Sequence, residues 1–268
     1  MDEPSILLRV EDAVATVTLN RPAALNALDL RMAEALAEAC EECEEHQGVR
    51  AVVLTGAGRG FCAGGDMRAA FGEVERGGDP EGFFRDLTVP LHRAILSLRR
   101  MPKPVVAAIN GAAGGAGMSL AAACDLRLAA EGARFKQAYT SIGLTPDGGW
   151  TAIVPQLVGA SIASELLFLD PVIDAAEALR LGLVHQVVPE RGLMARVGEV
   201  SRALADGPST AFAGAKALLN AWLLPALEAQ LDRERQRIIG QGATGDFHEG
   251  VVAFVEKRRP RFPASREP

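Results

Sequence analysis

The sequence predicts an α/β fold built on parallel strands, with a helical region at its C-terminal end. Three observations predict it. Strand, glycine-rich turn and helix follow one another twice, around residues 56–70 and 110–123, and that alternation implies parallel strands joined by right-handed crossovers. From Trp150 onward the pattern turns mostly helical, with Val184–Val188 the one clear strand. The chain has 268 residues, 49 % hydrophobic and 23 % charged, which is the balance of a globular protein. That length suits residues 1–200 as a core and 201–268 as a helical region.

Ile6–Val10 and Val14–Leu19 are short aliphatic runs separated by Glu11-Asp12 and read as a hairpin. Asn20-Arg21-Pro22 breaks the second strand. Asp29 is placed to cap a helix running to about Glu45, with apolar positions at Leu30, Ala33, Leu36 and Cys40. Val49–Thr55 is an apolar strand that ends in a Gly56-Ala-Gly58-Arg-Gly60 turn. Residues 72–82, with Gly77-Gly78-Asp79-Pro80, have the composition of a mobile loop, and a helix from about Phe83 to Leu98 follows. Val105–Ile109 is the next strand. It gives way to Asn110-Gly111-Ala-Ala-Gly114-Gly115-Ala116-Gly117, a helix from Met118 towards Asp125, and a strand over Leu126–Ala129. Ser209–Ile239 reads as one long helix with a possible bend, and Asp246–Arg258 as another.

Composition excludes several functions. A net charge of -6 argues against a broad nucleic-acid surface, which needs a basic stripe. The basic run Lys257-Arg258-Arg259-Pro260-Arg261 fits either a solvated tail or a site for anionic phosphates. No apolar run reaches the roughly 18 residues that span a bilayer. The acidic start Met1-Asp2-Glu3-Pro4 lacks the charge pattern of a signal peptide, so the expected location is cytoplasmic. Cys40-Glu-Glu-Cys43 sits inside a charged helical pattern and reads as ordinary reduced thiols. His46, His92, His185 and His248 never fall in a metal-ligand spacing. The first glycine turn lacks the third glycine of a dinucleotide fingerprint, and neither a phosphate-binding Gly-Lys-Ser/Thr nor a Gly-x-Ser-x-Gly elbow occurs.

Two turns remain, Phe61-Cys-Ala63-Gly-Gly65-Asp66-Met67 and Gly114-Gly115-Ala116-Gly117, each ending a strand and leading to a helix. Small residues let a ligand approach the backbone, and helix N-termini carry unpaired N–H groups at the positive end of a dipole. Facing one another, the two turns would make an oxyanion hole. Taken singly, either could merely permit a tight turn.

The order NRPAALNAL, GAGRGFCAGGDM, KPVVAAINGAAGGAGMSLAAACDLRLA, FKQAYTSIGLTPDGGW and EGVVAFVEKRRPRF resembles the crotonase (enoyl-CoA hydratase/isomerase) superfamily over nearly the whole chain. The resemblance implies a crotonase-type spiral of ββα units with a C-terminal helical trimerisation region, assembling as a homotrimer or dimer of trimers. It implies an acyl-CoA substrate and no cofactor beyond the coenzyme A thioester itself. The amides of Gly65 and Ala116 would be the oxyanion donors, with Ala63 and Gly115 beside them against substrate. Arg68 matches a basic position that meets the CoA phosphates. Phe254 and Lys257 match C-terminal residues that reach CoA, often from a neighbouring subunit.

Departures from the family pattern bear on the chemistry. Hydratases of the family use two glutamates to handle water, and those positions here are Ser119 and Tyr139. Asp147, in Gly143-Leu-Thr-Pro146-Asp147-Gly-Gly149, matches the acid of members that shift double bonds. These include Δ3,Δ2-enoyl-CoA isomerases and the ring-opening isomerase of the phenylacetyl-CoA pathway. The same residue also suits a turn or an N-cap ahead of Trp150. Ser119 reads as pocket wall and Asp66 as a helix cap. Asp125 reads as a strand tether, and Tyr139 as pocket lining or plain packing. Ile142, Leu144 and Trp150 would keep water from Asp147. The expected activity is transfer of a double bond from a 3-enoyl to a 2-enoyl thioester. Three alternatives stand beside it: a hydratase with atypical acid/base residues, a dehalogenase-like reaction with Asp147 as nucleophile, and a non-catalytic CoA-binding or RNA-associated protein.

Overall fold

β1 (Ile6–Glu11) and β2 (Val14–Leu19) pair antiparallel as the hairpin the sequence predicts, turning through left-handed Asp12 and Ala13. The structure, a computed structural model, describes residues 3–262; Met1 and Asp2 of the acidic start and the last six residues of the C-terminal region lie outside the described residues. Asp29 caps α1 (Leu30–Glu45) by accepting from Met32 N–H at 2.8 Å. Ala33, Leu36 and Cys40 are buried along that helix, whereas Leu30, in its first turn, faces outward.

Three ββα units follow. β3 (Ala51–Gly56) and β4 (Gly60–Cys62) lead into α2 (Met67–Glu75) and α3 (Pro80–Arg100). β5 (Val105–Ile109) and β6 (Ala112–Gly114) lead into α4 (Ala116–Ala123). β7 (Leu126–Ala130) and β8 (Arg134–Lys136) lead through a short 3-10 turn at Thr140–Ile142 into α5 (Trp150–Val158) and α6 (Ala160–Leu169). In each unit the first strand joins a six-stranded sheet ordered β1-β2-β3-β5-β7-β10, and the second joins a four-stranded sheet ordered β4-β6-β8-β9. The chain then runs through β9 (Ile173–Asp174), α7 (Ala175–Arg180), β10 (Gln186–Val188) and α8 (Leu193–Ala205). It ends in α9 (Ser209–Leu223), α10 (Leu227–Gln241) and α11 (Gly245–Glu256).

The central strands β2, β3, β5 and β7 are parallel and covered on both faces, which is why they read as unbroken apolar runs. Val52, Leu54, Val105 and Ala107 face the core under α1, α3 and α4, while Val53, Val106 and Leu128 pack on α8. Asp125 tethers β5 by accepting from Val105 N–H, and it also pairs with Lys216 of α9 at 2.7 Å and Arg99 of α3 at 3.2 Å.

Two expectations are corrected. Residues 72–82 are not a long loop: α2 continues to Glu75 and Asp79 caps α3 from Pro80, leaving four connecting residues. Proline suits the first turn of a helix, where no N–H is needed, so Asp79-Pro80 starts a helix instead of prolonging a loop. The long C-terminal helix is two, bent by 56° between Leu223 and Leu227, where Pro225 interrupts the pattern. Among the described residues no single helix is long and apolar enough to cross a membrane.

The bend returns α10 to the core, where Leu227 and Leu231 join the main cluster. α11 then lies directly on the Thr140–Ile142 turn. A Cβ on Gly250 would sit 2.4 Å from the Ile142 carbonyl carbon, so only glycine allows this approach.

Candidate active site

Parallel pairing of β4 with β6 (Cys62 opposite Ala113) puts the two glycine turns side by side. They are in contact: a Cβ on Gly115 would lie 3.6 Å from the Gly64 Cα, and one on Gly117 only 2.0 Å from the Cys62 carbonyl oxygen. Gly115 itself has φ 47° and ψ -123°, a conformation open to glycine.

The geometry leaves two amides unspent. Leu28 bridges the first turn in parallel fashion, donating to Gly64 O and accepting from Asp66 N–H, at 2.7 and 2.9 Å. In such a bridge the residue between the bonded pair turns its own N–H to the other side, and that residue is Gly65. No described main-chain or side-chain group accepts from it. Ala116 is the first residue of α4, where an amide has no intrahelical acceptor, and Gly115 provides no side-chain cap.

Both turns open on a cavity of about 980 Å³. Ala63, Gly65, Arg68, Gly115, Ala116, Tyr139, Ile142, Asp147, Phe254 and Lys257 all line it, as the sequence suggests. Ser119 and Trp150 do not, and this corrects the reading of Ser119 as pocket wall and of Trp150 as a residue at the pocket. Both are fully buried behind the wall: Trp150 starts α5 inside the core, and Ser119 faces the loop that carries Asp147. Phe254 and Lys257 come from the same chain as the rest of the site, because α11 folds back over α2. A neighbouring subunit is not needed to bring them there. The apolar part of the cavity is formed by Phe84, Leu87 and Leu91 of α3 with Leu144 and Ile238. Arg59, Arg68 and Lys257 also line the cavity, as exposed cations that make no ion pair among the described residues.

Among the described residues two carboxylates line the cavity. Asp66 is consumed structurally: it accepts from Arg68 and Ala69 N–H at the start of α2 and pairs with Arg21 at 3.0 Å. Asp147 is different. It is only 2 % exposed, and it is not the N-cap of α5, a place taken by Gly149. Its Oδ1 lies 2.7 Å from Nε2 of buried His92 on α3. Its main-chain oxygen accepts from Ser119 Oγ at 2.7 Å and Tyr139 OH at 3.1 Å. Ser119 and Tyr139 therefore hold the loop that aims the acid. Burial, then the charge of Asp147, pushes the Tyr139 phenol well above its ordinary range, so it stays a donor. Burial likewise pushes the Cys62 thiol up to about 12, which removes it as a nucleophile.

Two participants have no local motif. His92 is 55 residues from Asp147. Glu234 of α10 accepts from Gly149 N–H at 2.7 Å and Thr151 N–H at 2.8 Å, gripping the turn just after Asp147. The one trace either leaves in the sequence is a polar residue on an apolar helix stripe: His92 among Leu91, Ile95 and Leu98, and Glu234 among Leu227, Leu231 and Ile238. Among the described residues no group of acidic, histidine and cysteine side chains is arranged to hold a metal ion.

Comparison with known proteins gives one consistent result. Residues 9–265 match the family model described as enoyl-CoA hydratase/isomerase. The chain is 39 % identical over 263 residues to the 1,2-epoxyphenylacetyl-CoA isomerase of Escherichia coli, covering 96 % of this chain and 97 % of that protein. It is 35 % identical to the short-chain-enoyl-CoA hydratase of Clostridium acetobutylicum, covering 97 % of each. A crystal structure of an enoyl-CoA hydratase from Mycobacterium avium subsp. paratuberculosis superposes with a TM-score of 0.87 at 36 % identity, covering 97 % of this chain and 99 % of that one.

Proposed function

Since this chain belongs to the enoyl-CoA hydratase/isomerase family, we propose that within it the protein is an isomerase that moves a double bond in an acyl-CoA thioester. One observation carries this reading: among the described residues Asp147 is the only carboxylate lining the cavity that neither caps a helix nor pairs with an arginine. Addition of water calls for groups that orient it and move its protons, and Ser119 and Tyr139, at the positions where hydratases of the family place glutamates, are spent on the Asp147 carbonyl. One acid suffices for isomerisation, because the same proton leaves and returns on one face.

In a 3-enoyl thioester the C2 proton is acidified by the carbonyl and by the neighbouring double bond. The Asp147 carboxylate takes it. The electron pair left at C2 delocalises, and negative charge gathers on the thioester oxygen, where the amides of Gly65 and Ala116 hold it. Protonated Asp147 returns the proton at C4, so the C3–C4 double bond becomes C2–C3 and Asp147 is a carboxylate again. His92 fixes the carboxylate from the side away from the cavity.

The exposed cations Arg59, Arg68 and Lys257 fit the phosphates of coenzyme A, and the apolar side chains of Phe84, Leu87, Leu91 and Ile238 fit an apolar acyl group. Arg68→Ala should raise KM by up to about fivefold, the worth of an exposed charge contact, with kcat nearly unchanged. The effect should shrink in added salt; an equal loss in kcat would mean that Arg68 acts in the chemistry. Assembly into trimers, or pairs of trimers, is supported by an uncovered apolar face on α9, where Trp222 is 83 % exposed beside Leu218 and Leu219.

The decisive assay gives the protein 3-hexenoyl-CoA and 2-hexenoyl-CoA separately and follows mass and ultraviolet absorbance. Conjugation of the 3-enoyl thioester without mass gain is the expected result. A product of the 2-enoyl thioester heavier by one water, with no conjugation of the 3-enoyl compound, would replace the isomerase reading with a hydratase.

A further inference from the structure

The segment carrying Asp147 is held at three points, and the third comes from the far end of the chain. Ser119 and Tyr139 hold the carbonyl of residue 147, and His92 holds its side chain. Beyond it Gly148 and Gly149 turn through φ 70° and 78°, a path with little intrinsic preference, before α5 begins. Glycines in that region give the backbone freedom, so something else must fix it. The two carboxylate oxygens of Glu234 do so, one accepting from Gly149 N–H and the other from Thr151 N–H. The Thr151 hydroxyl also bonds to Glu234, and Gln230 Nε2 donates to that hydroxyl at 2.9 Å.

We infer that Glu234 is a positioning residue for the reaction: its carboxylate clamps the Gly149–Thr151 backbone and thereby sets the aim of Asp147 into the cavity. It does not line that cavity itself, so it acts only through the turn. The inference rests on the proposed role of Asp147 as the acid–base group.

A buried carboxylate has an alternative to carrying charge, which is to take up a proton. Glu234 is 4 % exposed, and burial first, then the charge of Asp147, pushes it up to about 7 despite the bonds from Thr151 and Gly149. The titratable groups around it are Asp147, His92 beyond that, and Tyr139. α5 carries no charged side chain. On α3, Arg85, Arg93, Arg99 and Arg100 pair with Asp79, Glu41, Asp125 and Glu228, and on α10 Arg235 donates to Thr88. Arg233 on the same helix donates to Gln230, and exposed Arg237 makes no ion pair with Glu234, so no cation pairs with Glu234 among the described residues. The sign follows: as pH falls through about 7, a proton occupies one oxygen, an acceptor is lost and the turn loosens. Turnover should fall on the acidic side.

The test compares the full-length protein with Glu234→Gln, which keeps the shape and cannot ionise. At pH 8 the variant should lose about tenfold in kcat, the worth of one acceptor to a charged group, with KM within about twofold. The wild-type kcat profile should show an acidic limb near 7 that the variant lacks. Selective 15N-glycine labelling without substrate gives a second reading: the Gly149 amide resonance should titrate near 7 in the wild type and stay flat in the variant. The profile is taken on whichever hexenoyl-CoA the wild type converts, and the amide titration requires neither. Failure of the isomerase reading is thus seen in the products, separately from failure of the clamp. A limb that persists in Glu234→Gln, or a Gly149 amide that does not titrate in the wild type, would overturn the inference.

Discussion

Asp147→Asn should slow double-bond transfer by about 10²–10⁴-fold, the usual contribution of a positioned acid–base group. Asparagine matches aspartate in shape, and the main-chain oxygen of residue 147 would still accept from Ser119 and Tyr139. The variant should therefore fold and bind acyl-CoA, with KM little changed and kcat carrying the loss. Steady-state conversion of 3-hexenoyl-CoA measures it, and thermal unfolding checks that the core is intact. A variant that isomerises at the wild-type rate would place the base elsewhere. His92 would be the next group to examine, since it is the buried partner of this carboxylate.

Ala116→Pro should cost about 10²–10³-fold in kcat, or roughly 2.7–4 kcal/mol of transition-state stabilisation, because it deletes one oxyanion donor. The change is aimed at one hydrogen. Ala116 opens α4, a position where proline is favoured since its missing N–H had no helical partner. Gly115 before it has φ 47° and ψ -123°, the mirror image of the extended backbone that precedes proline. Helix, turn and cavity should persist while the developing negative charge loses half of its support. Unchanged kcat with the fold retained would show that Ala116 N–H does not meet that charge. Read together, the two variants separate proton transfer from charge stabilisation.

Features recorded by neighbouring residues were the legible ones. Alternating strand and glycine turn led to the parallel units, since each crossover is local and its hand is fixed by sterics. Asp29, Asp66 and Asp125 show their structural roles through the residues close to them in sequence or in the next strand. The two adjoining glycine turns were legible for the same reason. What could not be read lies between elements distant in sequence. His92 and Glu234 meet the Asp147 segment from α3 and α10, and nothing at residues 140–150 specifies them. Trp150 and Ser119 were placed one layer too far forward, because sequence spacing tells which residues share a neighbourhood and not which of them faces the void. The glycine-rich stretch at 77–80 misled for a related reason: composition signals a turn without setting its length.

The fold-back of α10 and α11 has a consequence for biosynthesis. A nascent polypeptide that has left the ribosome only as far as residue 223 already contains both glycine turns and Asp147, yet it lacks Glu234, Ile238, Phe254 and Lys257. Its floor would be laid with one wall and the Lys257 cation missing. The cavity is thus completed only once residues 227–257 have emerged and docked, and a product terminated at residue 223 would lack the wall supplied by α10 and the cation carried by α11.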